Sequence, residues 1–267
     1  MKRTTYILIG LFVAGLCVLV GGMFMIFCLG RPFINQLNLQ GEQLTKEVPA
    51  CRVILLTQTK MYTKGSNVWL ANSLLEVQPS KDGKNLLSCS KKVNDYLKIT
   101  VMGDTLKILL DYPQDQLPQE FKESKFVGIN IGDMRLDMTQ DVECIINDID
   151  SQKIGFKHLK KDSLSIDTSN SIVVDSCDFA ALQVIRSGRN VDFQSGTINN
   201  LYLNLGMMDN WFVNAEKCHI GTEYLTAHYA NVQLQKGECE RMIWIPEKND
   251  SKLNVSLAGK ACVTVME

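Results

Sequence analysis

The sequence predicts an all-β protein, a parallel β-helix or closely related β-solenoid of about four to six short coils. Antiparallel hairpins and one N-terminal transmembrane helix are predicted to precede it. Three observations support this fold class: a long uncharged N-terminal segment, a hairpin pattern in the first half, and a repeat in the second. The repeat decides between fold classes, because copies spaced by about 20 residues are typical of solenoids and not of ordinary globular domains.

Residues 6–30 carry no charged side chain. As a helix rising about 1.5 Å per residue, they exceed the roughly 30 Å hydrocarbon core of a bilayer. A signal peptide has a shorter apolar stretch and a small-x-small cleavage site, which Cys28–Gly30 matches poorly. We therefore expect an uncleaved anchor, with a cleaved signal as the alternative.

The positive-inside rule gives this anchor a direction. Lys2 and Arg3 outweigh the single Arg31 on the far side, so residues 1–5 are predicted to form a short cytoplasmic tail. The body is then exported to the periplasm or extracytoplasmic space. This predicts a single-pass protein of the bacterial inner (cytoplasmic) membrane.

Composition excludes several classes of function. Beyond residue 31 there are 25 basic and 29 acidic side chains, which gives no electrostatic footprint for nucleic acid. Two of the nine cysteines lie in the membrane segment, and the other seven follow neither a zinc spacing nor a compact disulfide framework. We expect mainly buried free thiols, no metal and no cofactor.

The segment between the anchor and the repeats is predicted to contain a stalk and several strands. Polar residues 31–49 are typical of a stalk with room for a short helix, and the exported domain then spans residues 50–267. A hairpin is predicted where two β-rich runs flank Gly103–Asp104. The predicted strands are 52–57, 68–70, 74–77, 96–101, 105–110 and 126–131.

Clear repeats occupy residues 164–245. Four segments share an apolar residue, a Cys or Gly three positions later, and an apolar or thiol residue five positions later: 174–179, 193–198, 215–220 and 234–239. The Cys and Gly positions fit small-residue slots at a corner of the coil. One unit is interpreted as three short strands, 182–184, 191–193 and 196–198.

Strand alternation places one face of each unit in the core. Stacked units should then form aliphatic columns, predicted as Leu164, Leu182, Leu201, Leu225 and as Ile172, Val191, Val213, Val232. The unit containing Gly206–Trp211 is three residues longer, so the excess is predicted to bulge there. Residues 246–267 are predicted to form capping strands that protect the end of the stack.

Taken together, these features resemble those of the bacterial auto-transporter adhesin, head GIN domain family. The resemblance covers roughly Cys51 to Val265 and rests on the strand at 52–57, the hairpin with its Gly-Asp-Thr-Leu-Lys-Ile core, and the following short coils. It implies a cell-envelope β-solenoid of unestablished activity.

The predicted bulge is the main candidate binding surface. Large apolar side chains on a loop commonly mark a contact surface, either for an envelope protein or for a glycan. In the alternative interpretation Trp211 folds back as a lid over its own coil. The candidate residues are Tyr202, Met207, Met208, Trp211 and Tyr229.

The enzymatic alternative is a polysaccharide lyase or hydrolase of the β-helix class. Asp175, Asp178 and Asp192, with Arg186 and Arg189 nearby, would have to share one substrate-sized cleft. A solvated solenoid wall explains the same charges. The favoured function is therefore a non-enzymatic interaction or scaffolding surface, with no catalytic residues assigned.

Overall fold

The computed structural model describes residues 3–29, 34–59, 62–63, 66–71, 73–112, 119–122, 126–227, 239–248, 250–255 and 262–266. Within these ranges the protein is mostly β, as predicted. The helices are α1 Arg3–Leu29, α2 Lys91–Asn94 and α3 Gln119–Lys122. The strands are β1 Ile34–Asn38, β2 Gln43–Val48, β3 Val53–Gln58, β4 Tyr62–Thr63, β5 Ser66–Leu70, β6 Ser73–Pro79, β7 Asn85–Ser90, β8 Leu97–Met102, β9 Thr105–Leu110, β10 Phe126–Asn130, β11 Met134–Met138, β12 Cys144–Asn147, β13 Gln152–Lys157, β14 Lys160–Thr168, β15 Ile172–Asp175, β16 Cys177–Ser187, β17 Asn190–Phe193, β18 Gly196–Asn204, β19 Asn210–Val213, β20 Cys218–Ala227, β21 Cys239–Pro246 and β22 Cys262–Val265.

Helix α1 is long and apolar enough to cross a membrane. Its segment Thr5–Met25 has a mean hydropathy of 2.6 and packs against nothing else among the described residues. A signal sequence near an N-terminus has the same length and composition, so these properties establish a candidate span of either kind.

The strands within the described ranges form three sheets. The largest has ten strands in the order β22-β21-β20-β18-β16-β14-β12-β3-β9-β8, and the second has eight in the order β19-β17-β15-β13-β6-β11-β7-β2. A smaller sheet has the order β1-β10-β5-β4. Pairing is parallel from β22 to β9 in the largest sheet and from β19 to β11 in the second.

In the repeat region the chain alternates between the two large sheets. From β15 to β20 each new strand pairs in parallel with the strand two elements earlier, so the repeats lie directly against one another. Each unit contributes two strands and not the predicted three. No turn separates Gly196–Ile198 from the next predicted strand, and β18 runs unbroken through both.

The predicted hairpin is present in the structure. Strands β8 and β9 pair antiparallel from Met102 opposite Thr105 to Leu97 opposite Leu110. Gly103 has a φ of +59°, a left-handed conformation that glycine adopts without a Cβ penalty. The predicted strands at 52–57, 68–70, 74–77 and 126–131 correspond to β3, β5, β6 and β10.

The segment expected to be a stalk is largely built into the sheets. Strand β1 pairs in parallel with β10, and β2 pairs antiparallel with β7. Its polar composition misled the prediction because β2 alternates exposed and half-buried side chains until Val48, which is buried. Only four residues separate the end of α1 from the start of β1.

The predicted core columns are correct for the first units and shift after Leu201. Leu164, Leu182 and Leu201 are in register, but the next residue in that column is Glu223. Leu225 instead pairs with Leu203.

The eight-stranded sheet shows a corresponding shift. Trp211, and not Val213, follows Ile172 and Val191, while Val213 follows Val174 and Phe193. Val232 lies outside the described residues.

The longer unit distributes its three extra residues between two turns. Val191 lies 19 residues after its partner Ile172, whereas Trp211 lies 20 residues after its partner Val191. The one extra residue is accommodated near the 3-10 turn Leu205–Met207. The other two are absorbed in the turn after β19, where the carbonyl of Asn214 accepts from the amides of Lys217 and Cys218. The single predicted bulge at Gly206–Trp211 is therefore wrong.

The C-terminal part is only partly described. Strand β22 continues the ten-stranded sheet by pairing in parallel with β21. Leu253 and Val255 pack against the core without belonging to a strand.

The expectation of mainly buried free thiols holds for the described cysteines outside α1. Five of them are buried, Cys144 is half-buried and Cys262 is exposed. Cys177, Gly196 and Cys218 occupy successive strands at one corner of the stack. A Cβ on Gly196 would lie 2.0 Å from the Cys177 carbonyl oxygen, so this slot accepts no side chain.

Candidate functional site

Three large apolar side chains of the longer unit are exposed to solvent. Tyr202 on β18 is 39% exposed, Met207 in the following turn 49%, and Phe212 on β19 42%. The turn is fixed by the side chain of Asn204, whose Oδ1 accepts a hydrogen bond from the amide of Gly206 at 3.1 Å. The three side chains thus lie on the outer face of the ten-stranded sheet, in the connecting turn and on the outer face of the eight-stranded sheet.

Tyr202 belongs to an aromatic stack on the outer face of the ten-stranded sheet. Its ring lies 4.5 Å from that of Tyr224, its register partner on β20, and the two planes differ by 10°. Each ring therefore covers one face of the other. The stack contributes to cohesion between units and leaves part of Tyr202 available to a partner.

Two of the predicted surface residues face the core. Trp211 is 1% exposed and lies in register with Val191, and Met208 is 8% exposed. The extra residue in the preceding turn brings Trp211 to an inward position of β19, so neither side chain offers a contact surface. Tyr229 lies outside the described residues. Of the five predicted residues, Tyr202 and Met207 are on the described surface.

The three candidate catalytic aspartates have separate partners. Asp175 accepts hydrogen bonds from Ser195 at 2.6 Å and Ser176 at 3.1 Å. These hydroxyls, that of Ser195 foremost, lower the pKa of Asp175, which is the wrong direction for a general acid.

The other two aspartates are held elsewhere on the walls. Asp178 lies on the ten-stranded sheet and pairs with Lys160 at 3.3 Å. Asp192 lies on the eight-stranded sheet and accepts a hydrogen bond from the side-chain Nε2 of Gln194 at 3.0 Å.

The two arginines do not join these aspartates in the interactions that the structure shows. Arg186 donates to Asp167 at 2.7 Å and to Asp148 at 2.6 Å, which raises its own pKa. Arg189 uses its backbone carbonyl to accept from the amide of Asp209 at 2.9 Å.

A polar groove of about 870 Å³ crosses the beginnings of β14, β16 and β18. Lys160 and Asp178 form an ion pair on its wall. Lys161 is buried beside it, and its ammonium group donates a hydrogen bond to the Gln140 carbonyl oxygen at 2.6 Å. Burial lowers the pKa of this lysine. Among the described residues no group of three or more His, Cys, Asp or Glu side chains is placed to hold a metal ion.

The sequence analysis missed a carboxyl group inside the core. Glu223 is fully buried at an inward position of β20, where its column holds leucines in the preceding units. Burial raises its pKa to about 7, while the neighbouring Cys239 and Trp211 side chains act in the opposite direction. Counting the 22-residue step from Leu201 would have found it, because that step ends on Glu223 and not on Leu225.

No protein-family model and no curated protein matches the chain. Among solved structures it is similar to a candidate adhesin from Bacteroides fragilis, at 13% identity and a TM-score of 0.44, covering 86% of this chain and 98% of that one. It is also similar to a candidate lipid-binding protein from Parabacteroides distasonis, at 13% identity and a TM-score of 0.39, covering 87% and 100%. A third similar structure, a candidate adhesin from Parabacteroides merdae, has 9% identity and a TM-score of 0.38, covering 87% and 100%.

Proposed function

We propose that the protein is a membrane-anchored component of a bacterial cell envelope whose exported β domain serves as a non-enzymatic contact or scaffolding surface. The observation that carries the proposal is the exposure of three large apolar side chains on one unit, Tyr202, Met207 and Phe212. Exposed apolar side chains grouped on one unit are characteristic of protein contact sites. The occupant that best suits this surface is another envelope protein; a glycan is the alternative.

The topology is part of the same proposal. Helix α1 is the uncleaved anchor, residues 1–5 lie in the cytoplasm, and the body lies in the periplasm. The parallel stacking of β12 to β21 supports a β-solenoid, and membership of the head GIN domain family remains part of the proposal. The mass of the protein in the membrane fraction tests retention of α1, because cleavage near residue 30 would remove about 3 kDa.

Site-specific photo-crosslinking in intact cells tests the contact surface. A photoreactive amino acid replaces Met207 or Phe212, and Lys153, an exposed residue on β13 of the same sheet as Phe212, is the matched control position. We expect a product of one discrete mass from positions 207 and 212 and none from 153. The product should diminish when Tyr202→Ser is added.

Equal products from all three positions would indicate random collisions and would contradict the proposal. The absence of any product from positions 207 and 212, with the protein present in the membrane fraction, would contradict it as well. Digestion of the crosslinked product with glycosidases distinguishes a glycan from a protein partner.

A further inference from the structure

Among the described residues, the core column that contains Leu201 holds one carboxyl group between apolar side chains. Glu223 lies between Leu201 of β18 and Met242 of β21, both of which are buried. The equivalent positions in the two preceding units are Leu164 and Leu182. A carboxylate at this position would have to ionise among aliphatic side chains, where a charge is far less stable than in water.

The side chains known to act on the Glu223 carboxyl are neutral. Trp211 of β19 and Cys239 of β21 lie beside the carboxyl and favour its ionised form, against the effect of burial. On its own strand the Cys218 thiol interacts electrostatically with Glu223, and Cys177 lies two strands from Cys218 in the same corner column. Burial raises the pKa of both these thiols to about 11, so they remain neutral at physiological pH.

We propose that Glu223 makes the C-terminal units proton-linked, so that the packing of β18, β20 and β21 is tight when this carboxyl is protonated and loosens when it ionises. The sign follows from the two states of the chain. In the folded state burial raises the pKa to about 7 from its ordinary value near 4.5, which the unfolded chain retains.

Between these pH values the folded state holds a proton that the unfolded state has lost. Stability is therefore highest below the ordinary pKa, decreases as the pH rises through this window, and stops decreasing above about 7. The expected change in the unfolding equilibrium constant across the window is on the order of 10²-fold. This is opposite to the usual behaviour of a carboxyl group that gains a partner on folding.

An exposed ionisable pair on the outer face of β20 and β21 provides the control. His219 of β20 faces outward, and its Nε2 lies 3.5 Å from Glu240 of β21. Both side chains are well exposed. Glu240→Gln removes this pair without entering the core and is the matched control for Glu223→Gln.

The experiment measures thermal unfolding of the full-length protein in detergent micelles between about pH 5 and pH 8. The Tm of wild type and of Glu240→Gln should fall as the pH rises. The Tm of Glu223→Gln should depend much less on pH and should lie above that of wild type at high pH. Glu223→Leu, which continues the leucine column, is a second variant. Unlike Glu223→Gln, it places no side-chain amide in the core that would need hydrogen-bond partners.

Hydrogen exchange of wild type gives an independent measurement. After correction for intrinsic rates, amides of β20 and β21 should lose protection between about pH 5 and pH 8, while amides of β9 and β12 should not. The proposal is overturned if these protections are unchanged, or if wild type and the folded Glu223 variants have the same pH dependence. Neither readout depends on a partner of the exposed surface.

Discussion

Trp211→Ala and Phe212→Ala form a pair of neighbouring truncations on the same strand with opposite expected outcomes. The two residues alternate across β19, so that Trp211 packs into the core against Val191 while Phe212 lies 42% exposed on the outer face. Truncating a buried Trp to Ala removes its transfer free energy and leaves a cavity, at a cost of about 3–5 kcal/mol. Truncating the exposed Phe should cost about 0.5–1 kcal/mol.

The assay is thermal unfolding of full-length protein in the same detergent, read by far-ultraviolet circular dichroism. At about 2–4 °C per kcal/mol for a domain of this size, Trp211→Ala should lower the Tm by roughly 6–20 °C and Phe212→Ala by about 1–4 °C. The cavity also lies next to the Glu223 carboxyl, so water that enters it should lower the pKa of that group.

The reasoning would be refuted by a Trp211→Ala variant whose Tm lies within about 2 °C of wild type. It would also be refuted if Phe212→Ala cost as much as Trp211→Ala, since β19 would then not present these residues to opposite sides. Conversely, Phe212→Ala could abolish the product crosslinked from position 207 while leaving the Tm nearly unchanged. That result would show that Phe212 serves the contact surface and not the core.

Three further predictions address the corner, an ion-pair network and the thiols. Gly196→Ala should lower the free energy of unfolding by about 3 kcal/mol or more, because the φ of +116° and a carbonyl oxygen 2.0 Å from the new Cβ exclude a side chain. Gly83→Ala is the control: Gly83 has a φ of +66° but open space around it, so this variant should lose only about 1–2 kcal/mol in thermal unfolding. Arg186→Met should lower the free energy of unfolding by about 1 kcal/mol at low salt, because its two aspartate partners then repel each other. The guanidinium is a third exposed, so the loss should be smaller at high salt. A loss of stability that does not depend on salt would contradict this prediction. A thiol-reactive reagent should label Cys262 in the folded protein and spare Cys177, whose burial raises its pKa to about 11, and mass spectrometry after brief labelling distinguishes the two.

Local patterns predicted the elements whose geometry depends on adjacent residues. The hairpin was predictable because Gly103 allows the tight turn and both flanking runs are rich in β-branched and leucine side chains. The first columns were predictable because equal spacing places Leu164, Leu182 and Leu201 at equivalent positions. In both cases the information lies within one unit or in a constant step between units.

The pairing of β1 and β2 could not be predicted in the same way. Their partners β10 and β7 lie about 90 and 40 residues further along the chain, and neither strand has a continuous apolar run. A polar edge strand and a polar linker have similar compositions, so tertiary pairing decides between them. The same limit applies to the candidate site, since burial of Trp211 depends on where one extra residue is accommodated.

The position of that residue has consequences beyond the turn itself. In parallel stacks each added residue before a strand changes which side chain meets the preceding unit, and a shift of one position exchanges the two faces. One extra residue before β19 brings Trp211 into the core, and two more before β20 bring Glu223 into the leucine column. The indole and the carboxyl therefore meet because of two separate turns, each fixed by an asparagine side chain, Asn204 in the first and Asn214 in the second. Burial of this acid therefore depends on the lengths of the turns before β19 and β20 as much as on the identity of residue 223. For this reason the sequence of strand β20 alone does not reveal it.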